Sequence, residues 1–246
     1  EPTLEVTAPV ANEQIETDSY TIGGRVSDGE GRGVQELSYS LDSADGIDGT
    51  WTDVVVRGLN WSVEDVDFSS DGEGTKTLWV RAGDGLNEYT IEEIEFYYDV
   101  APPQLAATLS DGTWTTDSDA ERTTGGDLTF EGEVSDSNGI ASIVIRARTG
   151  DSEWSEIWSG SEAGAFSYTW SVADDGSQDG SWQFSAVGTD LAERTTETEW
   201  NVVVDTVAPD TPEVLPIAGD YVANALSISG SADDDGTGVR LVEWSL

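Results

Sequence analysis

The chain contains no cysteine, no histidine and no methionine, and Lys76 is its only lysine. Without cysteine there are neither disulfides nor thiolate metal sites, so burial of apolar side chains must hold the fold. The absence of histidine removes Ser-His-Asp and Cys-His catalysis and the usual zinc sites. Basic residues are scarce as well, 10 against 50 acidic ones, giving a formal charge of −40 over 246 residues. Such a surface repels nucleic acid and anionic membranes, and neither is an expected partner. No hydrophobic run approaches the roughly 18 residues of a membrane span, so this segment is not expected to insert in a bilayer. No signal-peptide pattern opens the chain, and position 1 is Glu rather than Met, so a processed or interior piece of a longer protein is expected. The acidity itself leaves three readings open: solubility and self-repulsion, carboxylates held for divalent cations, or adaptation to a salty medium.

What is present is a repeat. "YTIGGRVSDGEGRGVQELSYSLD" from Tyr20, "LTFEGEVSDSNGIASIVIRAR" from Leu128 and "LSISGSADDDGTGVRLVEWSL" from Leu226 line up, with Gly24, Gly132 and Gly230 in equivalent places. Asp28, Asp136 and Asp234 correspond too, as do Asp84 with Asp190 and Asp99 with Asp205. A register held over that length marks duplicated domains. Within each copy apolar residues alternate: Leu37, Tyr39, Leu41; Ile143, Ile145, Ala147; Val242, Trp244, Leu246. Alternation of this kind marks strands with one buried face, and Leu37, Tyr39, Ile143 and Ile145 are expected in the cores. Turn residues punctuate the strands and no helical period is sustained, which predicts an all-β chain of antiparallel sandwiches with about seven strands each.

The combination of "VSD", "LSYSLD", "VRAGDGLNE" and the junction "VDTVAPDTP" resembles the bacterial immunoglobulin-like (Big-type) repeats of large exported adhesins and surface proteins. That resemblance implies tandem immunoglobulin-like sandwiches and an extracellular or cell-surface location. Proline-bearing junctions set the expected boundaries: repeat 1 over residues 1–100, repeat 2 over 101–208, and over 209–246 an incomplete repeat 3 holding the first three strands. Very short linkers predict an array that behaves as a rod.

In an immunoglobulin-like sandwich the incoming linker lies at the same end as the loops after the second and sixth strands. Asp99 stands on such a linker, and Asp136 and Asp190 in those two loops, so three carboxylates are expected to meet. The next junction offers Asp205, Asp210 and the run Asp233, Asp234, Asp235. Oxygen-only ligands suit calcium far better than zinc, and the resemblance points the same way, since related adhesin repeats often bind calcium. The ordinary alternative is that each aspartate hydrogen-bonds the backbone of its own turn.

Exposed aromatics are a second candidate, for stacking on sugar rings. Trp61, Trp170, Trp200 and Trp244 fall on the apolar alternation and are assigned to cores, whereas Trp114 and Trp158 lie off it and are expected at the surface. Paired carboxylates are the only acid-base chemistry the composition leaves open, and no catalytic or cofactor-binding residue is assigned. The expected role is a non-enzymatic structural or adhesive stalk whose partners are neighbouring repeats, other copies in a filament or surface layer, or host and glycan ligands. The alternative is an accessory carbohydrate- or protein-binding module of a large secreted enzyme.

Overall fold

A computed structural model describes residues 1–29, 33–86, 89–117, 121–214, 229–234, 236 and 238–243. They form an all-β chain of tandem immunoglobulin-like sandwiches divided into two compact units. The first unit takes in Glu1–Pro102 together with the short segments Asp136–Gly139 and Asp190–Arg194. The second comprises Pro103–Ser135, Ile140–Thr189 and Thr195–Leu246.

The strands of the first unit are β1 (Thr3–Ala8), β2 (Gln14–Ile15), β3 (Ser19–Ser27), β4 (Glu36–Ser40), β5 (Thr52–Asp53), β6 (Asn60–Asp67), β7 (Gly74–Gly83) and β8 (Tyr89–Tyr98). One sheet has the order β1-β3-β6 and the other β2-β8-β7-β4-β5. Because successive side chains of a strand point to opposite faces, each sheet turns one apolar stripe inward. Ile22, Leu37, Trp61, Phe68, Leu78, Val80 and Phe96 meet there as a buried core. β2 runs parallel to β8 while β1 is antiparallel to β3, so the chain crosses from one sheet to the other between them.

The second unit repeats this plan with β9 (Gln104–Ser110), β10 (Thr115–Thr116), β11 (Arg122–Thr124), β12 (Leu128–Ser135), β13 (Ile140–Thr149), β14 (Ser155–Gly160), β15 (Gly164–Trp170), β16 (Gly180–Asp190) and β17 (Thr195–Val204). Its sheets are β10-β9-β12-β15 and β11-β17-β16-β13-β14, with β11 parallel to β17. Leu109, Leu128, Phe130, Ile143, Ile145, Phe184, Trp200 and Val202 fill the core. Later in the chain β18 (Glu213–Val214) and β19 (Gly230–Ser231) form a two-stranded antiparallel pair.

Leu37, Ile143 and Ile145 are buried as their alternation predicts, and Tyr39 is half-buried. Trp61, Trp170 and Trp200 are core residues, whereas Trp244 and Leu246 lie outside the described residues. The strand expected around Val242 is not formed over 238–243, where Leu241 and Val242 are exposed.

Trp114 and Trp158 are not surface residues as expected but half-buried, packed on the second core. At Trp158 the cause is a bulge. Opposite β13 the register passes from Ile145 paired with Trp158 to Arg146 paired with Glu156, so Ile157 is an extra residue and the alternation slips by one. Trp158 then stacks on Phe166 and Tyr168 at 5.9 and 6.2 Å.

Candidate metal centre

The first unit holds a cluster of three carboxylates from three separate chain segments. Asp99 directly follows β8, Asp136 directly follows β12, and Asp190 is the last residue of β16. One carboxylate oxygen from each lies within 4.8 Å of the others, and Asp99 and Asp190 are both 0% exposed. Two oxygens bound to one calcium ion at about 2.4 Å can be at most about 4.8 Å apart, so the spacing is one that a single ion can bridge.

Each carboxylate is held by a distinct local device. The Asp99 amide donates to Ile15 O at 3.0 Å, and Asp99 Oδ2 accepts from Gln14 Nε2 at 3.3 Å. Asp136 Oδ1 accepts the Asn138 amide at 2.8 Å, tightening the turn after β12. Asp190 Oδ1 accepts the Arg194 amide at 2.8 Å, closing the β16–β17 turn in which Glu193 takes a φ of 64°. The turn-capping alternative therefore holds for one oxygen of Asp136 and one of Asp190.

The remaining atoms distinguish the cluster from ordinary turn aspartates. Asp190 Oδ2, Asp99 Oδ1 and Asn138 Oδ1 are buried without a hydrogen-bond partner. The Asn138 amide is oriented by its Nδ2, which donates to Tyr98 O at 2.8 Å. Buried acceptors left without donors are rare because each forfeits its hydration. Burial, assisted by the charges of Asp136 and Asp190, pushes the Asp99 carboxyl above its ordinary range, against the opposing pull of Asn138 and Arg194. Within this set the only cation is Arg194, whose Nη1 lies 3.2 Å from Asp99 Oδ1 and whose Nη2 lies 3.9 Å from Glu16 Oε2. Oxygen donors alone, several of them charged, are the chemistry of a hard divalent cation.

The second expected set is arranged differently. Asp210 donates its amide to Asp233 O at 2.9 Å, Asp233 Oδ1 accepts the Asp234 amide at 3.0 Å, and Asp234 Oδ1 accepts the Gly236 amide at 3.2 Å. The Asp205 carboxylate lies against Gly236, where an added Cβ would fall 2.3 Å from its Cγ. Among the described residues the trio of Asp99, Asp136 and Asp190 is the only group of three such ligands that converge. Asp235 is outside the described residues.

Asn138, Gln14 and Arg194 are participants that sequence reasoning passed over. Arg194 had a signal: in the aligned motifs "LWVRAGDGLNE" and "FSAVGTDLAER" it replaces the Glu88 of the first repeat.

Two further tryptophans, Trp51 and Trp154, each carry arginine on a ring face. The Arg81 guanidinium sits 3.9 Å over the Trp51 ring, and Arg148 and Arg146 sit 4.3 and 4.7 Å over Trp154.

No protein-family model and no curated protein sequence matches the chain. Among solved structures it is similar to a tetra-tandem repeat in the extending region of a large adhesion protein, at 15% identity and a TM-score of 0.42. That likeness covers 89% of this chain and 53% of the other, so the chain spans about half its length. An I-band fragment of titin is similar at 11% identity and a TM-score of 0.48, over 98% of this chain and 82% of that one.

Proposed function

We propose that the chain is a non-enzymatic structural segment of a long exported adhesin-type surface protein with Big-type repeats, and that calcium held by Asp99, Asp136 and Asp190 locks its loops in place. The observation that carries this reading is the convergence of three carboxylates from separate segments, with buried oxygens of Asp99, Asp190 and Asn138 that lack hydrogen-bond partners. Arg194 offsets only part of the charge brought together there, and an oxygen-binding cation would relieve the rest. A stalk segment gains from a bound ion what it cannot obtain from disulfides, since the chain has no cysteine.

The test is calorimetric melting with calcium, magnesium or chelator at matched ionic strength. Calcium at about 100 times Kd is expected to add roughly 2.7 kcal/mol to the stability of the unit that binds it. Magnesium is expected to do less, because it demands a small octahedral shell and gives up water reluctantly. Asp190→Asn, which keeps the turn-closing oxygen and removes the charge, should abolish most of the calcium effect. Coincident melting of the wild-type chain in all three conditions would refute the calcium site. Surface exposure of the full-length product, checked by labelling intact cells, tests the exported setting.

A further inference from the structure

Arg194 stands inside the acidic cluster, with Nη1 3.2 Å from Asp99 Oδ1. We infer that Arg194 is the specificity-determining residue of the cation site: it lowers the cluster's charge to that of a divalent-ion site and is the internal competitor that an incoming ion must displace from Asp99. The inference rests on the calcium reading above.

Three carboxylates face one point and the Arg194 guanidinium beside them offsets part of their charge, so its repulsion disfavours a trivalent ion more than a divalent one. The guanidinium bridges two acids that differ in environment. Asp99 is fully buried, whereas the Glu16 side chain is 55% exposed. Arg194 Nη1 has no hydrogen-bond partner despite its closeness to Asp99 Oδ1, so the pair is an electrostatic contact without the directed bonds that would make it hard to break. An ion that takes over Asp99 leaves Arg194 with Glu16 already beside its Nη2. In the aligned motif of the first repeat the same place is Glu88, so the positive charge belongs to this site and not to the repeat pattern.

Titration calorimetry of the 246-residue chain with calcium and with terbium, for the wild type, Arg194→Gln, Arg194→Lys and Glu16→Gln, tests this. Repulsion between a fixed charge and an ion scales with the ion's charge, so if Arg194→Gln tightens calcium about tenfold it should tighten terbium about thirtyfold. Arg194→Lys should keep the wild-type terbium-to-calcium ratio. Glu16→Gln should weaken calcium several-fold, because the guanidinium then loses its alternative partner. In chelator, Arg194→Gln should melt below the wild type, and calcium should restore it. An unchanged terbium-to-calcium ratio in Arg194→Gln, or calcium weakening there as it does in Asp190→Asn, overturns the role of the arginine while leaving the calcium site standing. Absence of binding by the wild type to either ion overturns both.

Discussion

At the scale of single residues the repeated glycines have a steric cause. A Cβ on Gly24 would lie 1.9 Å from Glu5 O, one on Gly132 would lie 2.3 Å from Ala106 O, and one on Gly230 would lie 2.1 Å from Glu213 O. Three equivalent positions thus accept the same close approach of a neighbouring strand's carbonyl. In the two full sandwiches an aromatic ring opposite uses the cleared space, Trp61 over Gly24 and Phe166 over Gly132. Gly132→Ala should therefore destabilise the second unit by about 1–3 kcal/mol, the usual range for overpacking, in denaturant unfolding. Tyr20 offers a pH test in the first unit. Its hydroxyl donates to Glu13 Oε1 at 2.6 Å, and burial together with that carboxylate pushes its pKa up to about 12. The folded state then favours the neutral phenol more than the unfolded chain does. This stabilisation is full below about pH 10, the unfolded value, and is lost as pH rises through about 12. Tyr20→Phe should remove that component of the alkaline destabilisation, read as melting temperature against pH.

At the scale of elements, packing gives the sharpest expectation. Ile145 is fully buried between the two sheets of the second unit, and Ile145→Ala should lower its unfolding free energy by about 2–5 kcal/mol. The half-buried strands β4 and β13 were legible because their alternation, through Leu37 and Tyr39 and through Ile143, Ile145 and Ala147, runs over several residues. The crossing strands β2 and β11 were not, since two or three residues are too few to show a period. Trp158 was misread because a bulge shifts the register within β14, and a bulge leaves no mark in an alternation pattern. The acidic trio was legible from topology, because the chain order of a sandwich fixes which loops share an end. Arg194 escaped because its contacts with Asp99 and Glu16 depend on which side chains face it, and sequence offers only its exchange for an acid in the repeat.

At the scale of the whole molecule, the charge of −40 is distributed over a chain with only 10 basic residues. Raising sodium chloride from about 0.1 to 1 M shortens the screening length from about 10 to 3 Å, so melting temperatures should rise with salt even in chelator. A fall across that range would mean that attractive surface pairs outweigh the repulsion. The calcium effect proposed above is separable from this one, because binding at Asp99, Asp136 and Asp190 would saturate whereas screening would not. Those three residues also impose an order of events. Asp99 and Asp136 are synthesised well before Asp190, and the cluster closes only when β16 has taken its place beside β13 and β17. A nascent or half-folded chain therefore presents an incomplete set of carboxylates, and the calcium proposed above would be captured only by the assembled fold. An ion bound that late would leave the folding rate constant nearly unchanged and slow unfolding instead, contributing to how long the folded segment lasts rather than how quickly it forms.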